Sequence, residues 1–305
     1  MAVYCVDKPL GLTSHDVVAR ARRTLGTRKV GHAGTLDPLA TGVLLVLVDE
    51  GTKLSPYLTG HDKSYLAWVT FGAGTPTLDA EGPLTARGSV SHVNEDAVSA
   101  AIAPFLSLTE QRPPAFSAIK QAGERSYAAA RRGDLVEPPL RAVAYRSVTL
   151  LAFAPSRSDL PTRFAPQDDA GVRLWRPQTQ GREFDLPPAL ESDQPLPTAL
   201  LSLTVAAGTY VRAFARDLGT ALGTPAHLSG LVRVASGGVD LSWRLPIERD
   251  LTLLAGASYM DNDRNAWSRE FRFFAGDGPG NGAELPFYFP YQRPDYLFSD
   301  YNLSQ

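Results

Sequence analysis

The run Val43-Leu44-Leu45-Val46-Leu47-Val48 is apolar throughout and rich in β-branched residues, the pattern of a strand buried on both faces. It is entered from Gly31-His32-Ala33-Gly34-Thr35-Leu36-Asp37-Pro38-Leu39-Ala40-Thr41-Gly42. Pro38 biases Asp37 towards extended backbone angles, and Gly31, Gly34 and Gly42 permit turn geometries closed to other residues. One carboxylate, Asp37, is thus set in a glycine-framed loop entering a core strand, where rigid scaffolds commonly present chemistry. Taken alone, the motif is explained as well or better by Asp37 capping its own turn.

The flanking segments supply a fold class. Residues 3–8 read as a strand ending at Lys8-Pro9. Thr13 and Asp16 have capping-box spacing, and Val17, Val18, Ala21 and Leu25 form an apolar stripe ending at Gly26, which predicts a helix. Lys63 to Phe71 alternates as an aromatic and β-branched strand, with Tyr65 near its start, and is followed by a loop at 74–82. A core role for Tyr65 is the simpler reading. Asn94 is placed to cap a helix through about Phe105. The segment Gln111 to Lys120 mixes prolines, an aromatic and a cation as an exposed, semi-rigid arm. A short helix is predicted over Glu124 to Arg132 and a long strand over Ala142 to Phe153.

From about 154 to 198 the chain turns rich in Pro, Ser, Asp and Gln without a period, the mark of an extended surface insertion, partly disordered. Leu200 to Val205 reads as a strand. Thr209 is placed to cap a helix whose apolar face is Val211, Phe214, Ala215 and Leu218. Arg212 falls in that helix's first turn, where the dipole disfavours a cation, so an anionic partner is one explanation and simple exposure another. Strands and helices intermingle without a βαβ rhythm. The fold class is therefore α+β with a mixed, largely antiparallel sheet.

Composition narrows the remaining possibilities. The 305 residues carry a single cysteine, Cys5, which excludes an intramolecular disulfide and a cysteine-clustered metal site. No apolar run approaches membrane-spanning length. The chain opens on Tyr4-Cys5-Val6-Asp7 without an export pattern, so a cytoplasmic location is expected. The net charge of −2 does not advertise a nucleic-acid binder. Basic residues nonetheless cluster at Arg20, Arg22 and Arg23 with Arg28 and Lys29, and at Arg125 with Arg131 and Arg132, clusters that usually mean a solvated face.

Five ordered blocks resemble the tRNA pseudouridine-55 synthases of the TruB family: Asp7 to Ser14, Gly31 to Gly42, Lys63 to Ala67, Pro113 to Lys120, and Gly208-Thr209-Tyr210-Val211-Arg212. The resemblance covers roughly 3–153 and 200–240. It implies a pseudouridine synthase catalytic domain over 1–249, with an active-site cleft across the sheet, that isomerises a T-loop uridine without cofactor or metal. It also implies that Asp37 is the catalytic carboxylate, Arg212 its partner, and Tyr65 a catalytic residue that stacks on the flipped base and is a candidate base in the chemistry. His32 would enter the loop the base leaves, and Lys8, Leu228, Lys63 and Thr35 would support the substrate. The chemistry suits these residue types. An ionised carboxylate can act at the sugar C1′, an arginine keeps it ionised and oriented, and base flipping costs a few kcal/mol that aromatic stacking partly returns.

The expected partner is the T-arm stem-loop of tRNA, bound by a monomer with no membrane attachment. Two other classes remain open: an RNA-binding or tRNA-folding protein with secondary or no catalysis, and a carboxylate N-glycosidase, which would want a second catalytic carboxyl group. Thr75-Pro76-Thr77 departs from the family's usual Thr-Asp-Thr. The segment 250–305 lacks the glycine and apolar pattern of the PUA module that bacterial members usually carry. It is expected to be either a strongly diverged PUA-like module or a segment packing on the catalytic domain.

Overall fold

The computed structural model describes residues 2–116, 120–121, 124–125, 138–169, 172–190, 194–241, 253–256, 271–275 and 283–287. Its main elements are β1 (Ala2–Lys8), α1 (Ser14–Leu25), β2 (Val30–Ala33), β3 (Ala40–Val48), β4 (Lys63–Phe71), α2 (Glu95–Ile102), β5 (Tyr145–Ala154), β6 (Arg163–Asp169), β7 (Val172–Pro177), β8 (Arg182–Glu183), β9 (Thr198–Val205), α3 (Val211–Ala221), β10 (Ala226–Ser236) and β11 (Leu253–Gly256). The central sheet has the order β5-β9-β4-β10-β3-β1-β11. Its pairings along that path are antiparallel except β10 with β3, which is parallel.

Strand β3 organises the layers. All nine of its residues are buried. Leu44, Val46 and Val48 pack with Val17, Val18 and Ala21 of α1 and with Phe214 and Leu218 of α3. Val43, Leu45 and Leu47 face the other way, into a cluster with Trp68, Phe164, Trp175 and Phe184. A strand apolar on both faces needs a cover on each side, and here helices supply one and the segment after β5 supplies the other.

That second cover corrects the expectation for 154–198. The described part of the segment contains a three-stranded sheet, β7-β6-β8, not an extended surface excursion. Phe164, with no exposed surface, meets the Trp68 ring edge-on at 5.7 Å. The buried face rests on Phe164, Trp175 and Phe184, spaced far apart in a polar stretch, so the composition hides it.

Helix α1 forms as its pattern predicts. The Thr13 hydroxyl accepts from the Asp16 N–H at 3.1 Å, the Asp16 carboxylate accepts from the Thr13 N–H at 2.9 Å, and Gly26 ends the helix at φ 64°. Thr13→Ala removes half of this reciprocal cap and should lower stability by about 1 kcal/mol, read as a shift in the urea midpoint.

Other boundaries moved. Asn94 caps α2 through Ala97, but the helix ends at Ile102 and continues only as a 3₁₀ turn. Helix α3 takes Tyr210, not Thr209, as its cap residue, and the Thr209 hydroxyl is buried without a partner. Gln111 ties down the same corner: its Oε1 accepts from the Tyr210 N–H at 3.0 Å while its Nε2 donates to the Tyr145 hydroxyl at 2.8 Å. Where a helix was expected from Glu124, Glu124–Arg125 instead pairs with Lys120–Gln121 as a β-ladder, and 126–132 lie outside the described residues. In the C-terminal segment Leu253–Gly256 extends the sheet beyond β1 and Phe271–Ala275 pairs with Ala283–Phe287; the rest of 250–305 lies outside the described residues.

Candidate active site

The loop between β2 and β3 is held from both sides of Asp37. Before it, Leu36 donates its N–H to the buried Ser14 hydroxyl at 2.8 Å, and that hydroxyl donates back to the Leu36 carbonyl at 3.1 Å. After it, the Pro38 carbonyl accepts from Gly11 N–H at 2.9 Å and from Lys8 Nζ at 3.4 Å. The Asp37 carbonyl itself accepts from Ala40 N–H at 3.0 Å. The first and second sequence blocks are therefore one structural unit.

Arg212 reaches this loop from the first turn of α3. Its Nε lies 2.9 Å from Asp37 Oδ2 and 3.7 Å from Asp79 Oδ2. The two terminal nitrogens donate to the Thr77 carbonyl at 2.9 Å and the Phe116 carbonyl at 3.1 Å. The arginine side chain is 8 % exposed and that of Asp37 36 %, so the cation is fixed inside while the carboxylate keeps an open side. The anionic partner suggested by the position of Arg212 is thus present within the chain, and twice.

Asp79 was not singled out by sequence. Its loop is tied down by the Thr77 hydroxyl donating to Oδ1 at 2.6 Å and by the Thr75 hydroxyl donating to the Asp79 carbonyl at 2.7 Å. Leu228 holds it from below: its N–H donates to the Leu78 carbonyl at 3.0 Å, and its carbonyl accepts from Ala80 N–H at 3.1 Å. Leu78 sits at φ 65°, a left-handed conformation that costs a leucine free energy and marks the loop as held by its surroundings. Burial pushes the Asp79 carboxyl up, against the Thr77 hydrogen bond and the Arg212 charge. The threonines around an acidic residue were the visible signal.

Glu81 donates its N–H to Asp79 Oδ1 at 3.0 Å. Although the residue reaches solvent, burial, and then the Asp79 and Asp37 charges, push its carboxyl from the usual 4.5 up to about 7. The folded state thus keeps a proton that the unfolded chain releases, so stability falls as pH rises from about 4.5 to about 7. Solvent screening keeps the effect small. Glu81→Gln lacks this titration and should lose less stability than the wild type between pH 5 and pH 8, measured by urea midpoints at each.

The other expected site residues divide. Lys8 is fully buried and spends its ammonium on the carbonyls of Pro9, Leu12 and Pro38, at 3.0, 2.6 and 3.4 Å; desolvation pulls it down to about 8. Lys63 likewise donates to the Thr59 and His61 carbonyls, and burial and the Arg233 charge bring it to about 8. Both are framing cations, with their hydrogen bonds turned to main chain. Tyr65 is 7 % exposed and packs in the cluster that holds Leu36, Leu39 and Leu231. Leu228 is fully buried, so its side chain underlies the site and its main chain does the holding. Thr35 is exposed. His32 sits edge-on to His15, with ring centroids 5.5 Å apart, and its Nδ1 is buried without a hydrogen-bond partner. Burial, then His15 and Arg233, lower its basicity.

Among the described residues no cluster of His, Cys, Asp and Glu has the shape of a metal site, and no helix is long and apolar enough to cross a membrane. The arrangement offers a carboxylate with one open side, a buried cation beside it and an aromatic residue at the start of β4, two strands away from β3. These suit chemistry at an electrophilic carbon.

Comparison with known proteins agrees with the five-block resemblance. Residues 22–167 match the family model described as TruB family pseudouridylate synthase (N terminal domain). A tRNA pseudouridine synthase B of Deinococcus deserti is 50 % identical over 248 residues, 81 % of this chain and 78 % of the relative. One of Thermus thermophilus is 54 % identical over 242 residues, 79 % of this chain and 74 % of the relative. Among solved structures, a chain of a Cbf5-Nop10-Gar1 complex is 26 % identical with a TM-score of 0.49, matched over 79 % of this chain and 50 % of its own length.

Proposed function

Since the chain belongs to the TruB family of pseudouridylate synthases, we propose that it isomerises the T-loop uridine of tRNA to pseudouridine, with Asp37 as the catalytic carboxylate. The observation that carries the reading is the pair Asp37 and Arg212, 2.9 Å apart, with the arginine buried and the carboxylate open on one side.

The reaction breaks the bond between ribose C1′ and base N1 and forms one between C1′ and C5. N1 gains a proton and C5 loses one, so substrate and product are isomers and no electrons are exchanged. The Asp37 carboxylate faces the sugar and assists departure of the base. Arg212 cannot swing away with the developing charge, because carbonyls hold both its terminal nitrogens. That preorganisation keeps a fixed positive charge beside the carboxylate throughout the reaction. Tyr65 stacks on the flipped base, worth about 1–3 kcal/mol against the cost of extrusion. His32, on β2 just before the loop, enters the space the base vacates. Lys8 and Thr35 support the substrate through the Asp37 loop, Leu228 through the Asp79 loop, and Lys63 from beside Gly34.

The test is tritium release from a T-arm stem-loop labelled at C5 of its uridines, beside a loop variant lacking the target uridine. Stoichiometric release that vanishes with that uridine supports both reaction and site. Tight binding with no release favours an RNA-binding or RNA-folding role, and free uracil an N-glycosidase.

A further inference from the structure

We propose that Arg233, on β10, is a positioning residue for the reaction: its buried guanidinium clasps both stems of the Asp37 loop and so fixes the height of the carboxylate against Arg212. The proposal rests on the function above.

Arg233 is 1 % exposed. Its Nε donates to the Val43 carbonyl at 2.6 Å, one terminal nitrogen to the Gly34 carbonyl at 3.0 Å and the other to the Thr35 carbonyl at 3.4 Å. Gly34 and Thr35 precede Asp37 and Val43 follows it, so one rigid fork ties the way into the loop to the way out. The geometry around it leaves little freedom. Arg233 pairs with Gly42 on one side and Tyr65 on the other, and a Cβ at Gly34 would lie 3.4 Å from its guanidinium and 3.3 Å from the Lys63 side chain.

A planar guanidinium can satisfy three carbonyls in fixed directions, which an ammonium on a flexible stem does not. Burying a cation is costly unless it is hydrogen-bonded, and apolar side chains would fill the same volume more cheaply. Its placement at the neck of this one loop argues that the hydrogen bonds set geometry as well as hold the core together.

The experiment uses the full-length chain as Arg233→Lys and Arg233→Met. Three quantities are read for each: the urea midpoint, the affinity for the unmodified T-arm stem-loop, and the single-turnover rate of C5 tritium release by folded protein. Arg233→Lys is expected to fold, to bind the stem-loop within about threefold of wild type and to release tritium about 10- to 100-fold more slowly, since small misplacements of reacting groups carry such costs. A rate within about threefold of wild type overturns the positioning role. So does a rate loss matched by an equal loss of affinity, or failure of both variants to fold, either of which leaves Arg233 a binding or purely structural residue. Absence of release from the wild type would refute the proposed reaction itself and is distinguishable from all of these.

Discussion

Asp37→Asn should lower the rate of C5 tritium release by on the order of 10⁴-fold or more while leaving affinity for the T-arm stem-loop within about threefold. The amide keeps the shape of the side chain but not the charge, and the chemistry at C1′ depends on the charge. The fold should tolerate the change. Arg212 retains the Thr77 and Phe116 carbonyls, and Asp79 remains 3.7 Å from its Nε, so the buried cation is not left alone. The backbone of the loop is held by Ser14, Gly11 and Ala40, none of which uses the Asp37 side chain. A 10⁴-fold loss corresponds to about 5.5 kcal/mol of transition-state stabilisation. Parallel loss of rate and RNA affinity would instead make Asp37 a structural anchor, and near-normal release would remove it from the chemistry.

What could be read in advance follows from whether a residue's partner lies nearby in sequence. Helix α1 was legible because its cap, stripe and C-terminal glycine all lie within fourteen residues, and the match at Thr13, Asp16 and Gly26 is close. Strand β4 begins and ends at the expected Lys63 and Phe71 for the same reason. The insertion was not legible, since Phe164, Trp175 and Phe184 become a buried face only when three short strands pair beneath Trp68. The start of α3 shifted by one residue, to a Tyr210 cap whose N–H is held by Gln111, almost a hundred residues away. At the site, Asp37 and Arg212 came from motif resemblance. Asp79 and Arg233 did not: the threonines around Asp79 hint at a held loop, but its place beside Arg212 depends on Leu228, and the role of Arg233 arises from the β3–β10 neighbourhood. An arginine inside the otherwise apolar Leu231-Val232-Arg233-Val234 was the one local sign of the second.

Gly42→Ala should be the most damaging small substitution to the fold, costing about 2–5 kcal/mol. Two effects add. Gly42 sits at φ 99°, where an L-residue pays about 1–2 kcal/mol for its Cβ. A Cβ there would also lie 2.2 Å from the Arg233 carbonyl oxygen, well inside the 3.0 Å that real Cβ contacts essentially never cross. That oxygen belongs to the backbone of β10, so no side-chain rotation relieves the overlap, and forcing the strands apart costs about 1–3 kcal/mol more. Gly11→Ala separates the terms. Gly11 has φ 80° with nothing within 4 Å of its would-be Cβ, so its alanine variant should lose only the backbone part, about 1–2 kcal/mol. Urea denaturation of both variants measures the difference. Equal losses would mean that β10 yields to the new methyl group, and then the Arg233 clasp, anchored on that strand, could not be holding the Asp37 loop to a fixed height. A larger loss at Gly42 is what a rigid parallel contact between β3 and β10 requires, and it is this contact that brings an arginine from far along the chain to the neck of a loop near its beginning.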